Sequence, residues 1–183
     1  MKNGREKHVW RGVLAGAGAG LAASWAMNAF MAGPGEQLRE SLQTEEERQQ
    51  EQAEQQRREE NGEAHEDATM KAADALVRTA TGGRHLSLEQ KQKAGPVVHY
   101  AFGALAGAVY GGLAESSDRV RMGLGTAFGA VLFAGADLVA VPELHLSAPL
   151  KEYPVKTLAT PLAAHLVYGA TTEVLRRAIR AVL

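Results

Sequence analysis

Residues 12–32 contain no Asp, Glu, Lys or Arg, and Ala and Gly make up more than half of them. An α-helix rises about 1.5 Å per residue, so about 20 residues cross the roughly 30 Å hydrocarbon core of a bilayer. The run is therefore long enough for one membrane-spanning helix. A cleaved signal peptide is the alternative, but its apolar region usually covers only about 7–15 residues. We therefore expect this segment to be retained as a span.

Three further apolar runs follow at about 96–114, 122–141 and 158–175. The mean hydropathy of the whole chain is only −0.20, because it averages these runs with one very polar segment. We therefore predict an all-α membrane protein, a single domain over residues 1–183 with four transmembrane helices.

A short pattern, His-x-x-aromatic-Gly, occurs at residues 99–103 and again at residues 165–169. In each half of the chain the helix that precedes it is Gly-rich and follows an arginine, Arg11 or Arg121. We interpret the two halves as an internal duplication, in which the four helices form two hairpins. Chance similarity between helices rich in Ala and Gly is the alternative.

The connection between the first two runs is polar. Residues 36–67 are rich in Glu, Gln and Arg and contain few apolar side chains. Nothing drives such a segment into a core, so we predict a solvated helix or disorder. Residues 68–80 differ, because their apolar side chains recur on one helical face. They predict an amphipathic helix that lies on the membrane surface or on the bundle.

Small residues recur at every fourth position in the predicted helices. Gly12, Gly16 and Gly20 do so in the first run, and Gly103 and Gly107 do so in the second. This spacing places them on one helix face, where they allow two helix backbones to approach closely. Such glycine faces predict helix packing within the chain and suit self-association into a homo-oligomer.

Composition excludes several functions. The chain has no Cys, and so no thiolate nucleophile or metal ligand, and its formal net charge is −1. This charge gives no support for a nucleic-acid partner. No phosphate-binding loop or nucleophile motif is present. The lipid bilayer is the expected partner, and we predict a protein that is not an enzyme and holds no cofactor.

Each predicted helix carries one polar residue near the end that faces away from the termini: Asn28, His99, Asp137 and His165. An ionisable group inside a span costs about 2.5–3.5 kcal/mol, so it needs a partner. His99, Asp137 and His165 are chemically sufficient to bind Zn²⁺ or Fe²⁺. They would equally serve a proton or ion pathway. We favour a third interpretation, a hydrogen-bonded network that fixes the packing of the bundle.

Glu173 lies at the opposite end of the fourth run, and we expect it to pair with Arg176 or Arg177. Basic residues also precede the first run and occupy the turn around Arg119 and Arg121. The positive-inside rule therefore predicts that both termini are cytoplasmic.

Three segments resemble a known family. They are AASWAMN at residues 22–28, AGPVVHYAFGALAGAVYG at residues 94–111 and AHLVYGATTEVLRR at residues 164–177. They look like the YagU-like bacterial inner-membrane family, a domain of unknown function. The resemblance implies a multi-pass protein of the bacterial inner (plasma) membrane. It supplies no established activity, and it leaves the Glu/Gln-rich segment unexplained.

Overall fold

The computed structural model describes residues 8–61, 65–147 and 155–183. All regular secondary structure within these ranges is helical. The first five helices are α1 (Val9–Met31), α2 (Pro34–Leu42), α3 (Glu45–Glu60), α4 (Ala68–Thr81) and α5 (Leu88–Ser116). They are followed by a 3₁₀ segment (Asp118–Gly125), α6 (Thr126–Gly135), a π-helical turn (Ala136–Ala140), α7 (Val141–Glu143), a second 3₁₀ segment (Val155–Leu158) and α8 (Ala159–Val182).

Three segments of the described chain are long and apolar enough to cross a membrane: Val9–Met31, Leu88–Ser116 and Asp118–Glu143. This confirms an all-helical chain that can span a membrane. Helix α8 has 24 residues but is not among the three. Its polar and charged side chains lower its hydropathy. The fourth span and the arrangement in two hairpins therefore stay predictions.

Helix α5 begins earlier than the predicted second span. Ser87 opens it with a capping box, in which the Ser87 hydroxyl accepts from the Gln90 amide and the Gln90 side chain accepts from the Ser87 amide. The helix then continues through Pro96, the residue at which the second apolar run begins. Gly95 precedes this proline, and it has no Cβ to clash with the proline ring.

The third predicted span is shorter as a helix than the sequence indicated. Met122, Gly123 and Leu124 have non-helical backbone angles, and α6 begins only at Thr126. Gly125 precedes α6 with a φ of 86°, and a Cβ there would lie 2.3 Å from the carbonyl oxygen of Gly169. The chain turns here because only glycine tolerates both this φ and this approach.

Helices α1, α5, α6 and α8 form an antiparallel bundle. Helix α1 packs against α5 and α8, and α6 packs against α8. Gly12 of α1 lies against Gly111 of α5, whereas Gly20 lies against Gly103, so these two helices run in opposite directions. A second glycine contact joins α6 to α8 at Gly129.

The glycine faces predicted from the sequence face each other within one chain. A Cβ on Gly16 would lie 2.0 Å from the carbonyl oxygen of Gly107, and a Cβ on Gly107 would lie 2.3 Å from the carbonyl oxygen of Gly16. Both glycines are buried. A homo-oligomer, which stays a prediction, would therefore need a different surface.

The Glu/Gln-rich segment is helical over residues 34–42 and 45–60, and residues 62–64 lie outside the described ranges. The Arg39 guanidinium donates to Glu51 at 2.7 Å, which ties α2 to α3. Lys156 donates to Glu47 at 2.5 Å and connects α3 to the segment before α8. These contacts attach the polar segment to one end of the bundle.

Helix α4 packs on the first turns of α5. Met70 is buried and lies against Gly95. Asp74 accepts from the Leu86 amide at 2.7 Å and from the His85 ring at 2.8 Å. The Leu86 amide and the His85 ring hold the pKa of Asp74 below its usual value. Asp74 therefore fastens the connection between α4 and α5.

We expect Asp74→Asn to loosen this connection. A carboxylate whose folded pKa is lowered stabilises the fold above its unfolded pKa of about 3.9, and this stabilisation is lost as the pH falls through the lower folded value. At pH 7 the variant should exchange the amides of residues 82–87 several-fold faster, measured by hydrogen–deuterium exchange. In the unmodified chain the same loss of protection, expressed relative to the intrinsic exchange rate at each pH, should appear only on acidification. Equal exchange at pH 7 in the two proteins would contradict this role.

Candidate functional site

Glu173 is the most deeply buried charged side chain among the described residues, with 0% exposure. Its carboxylate accepts from the Tyr110 hydroxyl at 2.9 Å, from Arg176 Nε at 2.8 Å and from Arg177 Nε at 2.6 Å. The structure thus places both predicted arginines against Glu173 and adds a tyrosine from α5. All three donors satisfy a carboxylate that would otherwise be costly to bury.

Glu115 extends this network from the end of α5. It accepts from Arg180 Nε at 2.9 Å, and its Oε1 lies 3.6 Å from Arg176 Nη1. We call the set Tyr110, Glu115, Glu173, Arg176, Arg177 and Arg180 the inner network. Its charge-assisted hydrogen bonds join the C-terminal end of α5 to the C-terminal half of α8. These two helices are not adjacent in sequence.

The sequence did not reveal Tyr110, Glu115 and Arg180 as members of this network. A signal was present, because Glu115 and Arg180 are opposite charges at the ends of two runs predicted to end on the same side. Tyr110 gave no signal, since a tyrosine near the end of a span is equally compatible with contact to lipid headgroups.

At the opposite end of the bundle, the structure brings three of the four predicted polar residues to one cavity. His99, Asp137 and His165 all line it. Asn28 does not, and it is exposed on α1. Four residues of an α-helix turn through about 400°, so a face with a four-residue repeat drifts by about 40° each time. This drift carries Asn28 away from the face that Gly12 begins.

His165 is 6% exposed, with one hydrogen-bond acceptor and one carboxylate near its Nδ1. Its Nδ1 lies 2.9 Å from the carbonyl oxygen of Pro161 and 3.7 Å from Asp137 Oδ2. A carbonyl oxygen only accepts, so Nδ1 carries the hydrogen and Nε2 of the neutral ring is an acceptor. Asp137 lies in the π-helical turn Ala136–Ala140, and π-helical turns inside α-helices often occur at functional sites.

His99 Nε2 is buried and has no hydrogen-bond partner among the described residues. A buried polar atom without a partner costs about 1–3 kcal/mol. His99 Nε2 is therefore a buried atom of the predicted cluster whose hydrogen-bonding capacity the described residues leave unused.

No group of three His, Cys, Asp or Glu side chains within the described ranges is placed to hold one metal ion. The Nδ1 of His165 is occupied by Pro161, as the second nitrogen of a metal-binding histidine often is. Zinc or iron binding by His99, Asp137 and His165 stays a prediction. Elemental analysis of protein purified without chelators would test it directly.

The cavity has a volume of about 640 Å³ and lies between α1, α5, α6 and α8. Its walls are mainly apolar, with Phe102 from α5 and Val131 from α6 on two sides, and Ala68 and Ala72 of α4 line it as well. Below it, the rings of Tyr110 and Phe128 are 4.6 Å apart and bring α5 and α6 together. The cavity is thus the space left where these two helices separate.

Hydroxyl groups lie between the cavity and the inner network. Tyr168 donates to the carbonyl oxygen of Gly103 at 2.6 Å, Thr172 donates to that of Tyr168 at 2.8 Å, and Ser24 donates to that of Gly20 at 3.0 Å. Each hydroxyl hydrogen is therefore used in a bond to the backbone. These bonds contribute to helix packing, and a proton or ion pathway through His99, Asp137 and His165 stays a prediction.

Over the residues that the structure describes, the fold is all-helical, with three segments able to span a membrane. A family model described as a protein of unknown function (DUF1440) matches residues 79–174. The match covers more than half of the chain, so the chain belongs to this family. A family of unknown function agrees with the resemblance described from the sequence. The narrower YagU-like assignment stays an interpretation. Searches of curated proteins and of solved structures gave no match.

Proposed function

We propose that the chain is an integral protein of the bacterial inner membrane that does not act as an enzyme. Helices α1, α5 and α8, together with the segment from α6 to α7, would cross the bilayer as two hairpins. Both termini would be cytoplasmic. One observation carries the proposal: five polar side chains of α8 are buried against the other helices, namely Thr160, His165, Thr172, Glu173 and Arg176.

The burial pattern of α8 explains how a helix of modest hydropathy can cross a bilayer. Thr172 and Glu173 are 0% exposed and Arg176 is 3% exposed, whereas the neighbouring Val174 is 56% exposed. Polar groups inside a span are tolerated when they face the bundle interior and pair with one another. The inner network provides this pairing, so the surface left for lipid is largely apolar.

The non-enzymatic role rests on what the buried polar groups do. The carboxylates of Glu115 and Glu173 are held by arginines, and the hydroxyl of Tyr168 is bonded to the backbone. Groups held in this way stabilise a bundle and are not poised for proton transfer. We assign the inner network a structural role.

Cysteine labelling would test the proposed topology, because the chain contains no Cys. We would introduce single cysteines at exposed positions: Gln55→Cys in α3, Asp118→Cys in the turn after α5 and Val182→Cys at the end of α8. In spheroplasts, a maleimide that cannot cross membranes should label Gln55→Cys. It should label Asp118→Cys and Val182→Cys only after the membrane is permeabilised.

Val182→Cys separates three spans from four. If α8 lay on the membrane surface, Val182 would be on the same side as Gln55 and would be labelled in intact spheroplasts. Labelling of Asp118→Cys without permeabilisation would instead reverse the whole orientation. Either result would overturn the proposed topology, and the cysteine-free chain is the control for background labelling.

A further inference from the structure

We propose that the cavity between α5 and α6 is a binding site for an amphiphile with an apolar body and a polar end that donates hydrogen bonds, a hydroxyl or an ammonium group. The inference goes beyond the proposed function, because it assigns a ligand to a site for which neither the fold nor the family supplies one. The proposed binding rests on insertion of the protein in a membrane, as the proposed function states, but not on a particular orientation. The cysteine labelling tests the topology in a separate experiment.

The cavity has the size and lining of a ligand site. Small-molecule pockets usually enclose about 300–1,000 Å³, with mainly apolar walls and a few polar groups that orient the ligand. The volume here is about 640 Å³, and the polar groups include His99, Asp137 and His165 among many apolar side chains. An apolar body would thus contact the walls while its polar end contacts one or more of these three residues.

The polar end of the cavity is dominated by hydrogen-bond acceptors. The Asp137 carboxylate only accepts, and His165 Nε2 accepts because Nδ1 of the same ring carries the hydrogen that Pro161 binds. Asp137 is about one-third exposed along its side chain, so a ligand can reach it. These two acceptors favour a ligand that brings its own hydrogen, as a hydroxyl or an ammonium group does.

His99 supplies a second, independent observation. Its Nε2 is buried without a partner among the described residues, and the residue lines the cavity. An imidazole donates or accepts at this atom according to its tautomer. A ligand hydroxyl that reaches this atom would satisfy it, because a hydroxyl can both donate and accept.

The walls of the cavity reach the lipid-facing side of the bundle. Phe102 and Val131 both line it, and they are 47% and 71% exposed. Residues that line a cavity and are also exposed on the outside of a bundle mark an opening between them. In a membrane this opening faces acyl chains, so the ligand would enter from the bilayer, where amphiphiles are concentrated.

A binding assay with defined probes tests the proposal. The full-length protein would be placed in lipid nanodiscs, and binding of radiolabelled 1-dodecanol would be measured after subtraction of empty nanodiscs. We expect saturable binding of one 1-dodecanol per chain. Unlabelled 1-dodecanol and dodecylamine should displace it, whereas 1-methoxydodecane, which has no donor, should compete at least about tenfold less well. The relative strength of the alcohol and the amine would identify the preferred head group.

Two pairs of variants locate the site. Ala136→Phe should abolish binding by filling the cavity, which Ala136 lines. Ala134→Phe places the same ring two residues away on the exposed surface of α6, and it should bind like the unmodified chain. Asp137→Asn should weaken dodecylamine by about tenfold or more. It should leave 1-dodecanol nearly unchanged, because the Asn amide oxygen still accepts.

Each result decides the proposal. Equal displacement by 1-methoxydodecane would show that the site does not recognise a hydrogen-bond donor on the ligand. Unchanged binding in a folded Ala136→Phe variant would show that the cavity is not the binding site. Absence of saturable binding would overturn the proposal altogether. Unfolding of each variant in SDS identifies a loss of fold. If Ala136→Phe does not fold, the preference for donors and the effect of Asp137→Asn still decide the outcome.

Discussion

Gly107→Ala is expected to cost about 3 kcal/mol of unfolding free energy, at the upper end of the range for overpacked cores. The new methyl group would lie 2.3 Å from the carbonyl oxygen of Gly16 and 2.8 Å from the Cα of Gly20. Both are backbone atoms, so no side chain can move aside to relieve the overlap. Helices α1 and α5 must separate along their length, and this also loses contacts at neighbouring glycine positions. An SDS unfolding titration in mixed micelles would measure the change.

Gly135→Ala is the matched control. Gly135 lies at the end of α6 with helical backbone angles, and a Cβ there would meet nothing within 4 Å. Alanine favours a helix over glycine by about 1 kcal/mol, so this variant should be as stable as the unmodified chain or more stable. If Gly107→Ala and Gly135→Ala unfold at the same SDS concentration, the close contact of α1 with α5 does not stabilise the bundle.

Glu173→Gln should have an effect of similar or larger size, about 3–5 kcal/mol, because it removes one partner of a buried ion pair. Arg176 is 3% exposed, and without the Glu173 carboxylate its charge would be compensated only by Glu115 at 3.6 Å. Arg177 contributes less, since half of its side chain is exposed to solvent screening. The same unfolding titration would report the loss.

The control for this substitution is Glu54→Gln, which makes the same chemical change on the exposed surface of α3 and should shift unfolding by less than about 0.5 kcal/mol. A double variant, Glu173→Gln with Arg176→Gln, separates pairing from packing. If the two groups stabilise each other, the double variant should lose less free energy than the sum of the single variants. Strict additivity would contradict the pairing.

Much of the local structure could be predicted from the sequence because its signals are local. The uncharged run at 12–32 predicts a long helix, and the structure has α1 at Val9–Met31. The spacing of Gly12, Gly16 and Gly20 placed them on one face, and that face is in contact with α5. These inferences need only the period of the helix and the chemistry of single residues.

Other features depended on contacts between distant parts of the chain. Asn28 was grouped with the polar cluster by its depth along the first run, but it is exposed on another side of α1. Which side of a helix faces its neighbours is decided only when the helices pack. The start of α6 at Thr126 is set by the approach of Gly125 to Gly169. No local sequence pattern around Met122 predicts this helix start. Helix α5 likewise begins at Leu88 and continues through Pro96, whereas the apolar pattern marked only the run from residue 96 onward.

The sequence by itself therefore determined the class of protein: helices of membrane-spanning length, with small residues on their packing faces and few polar groups at their ends. Only the tertiary structure decided which polar groups meet. It assembled Tyr110 and Glu115 with Glu173, and it left His99 and Asp137 beside an open cavity. The physical reason is that helix period and burial are properties of neighbouring residues, whereas an ion pair or a cavity depends on how far apart two helices lie.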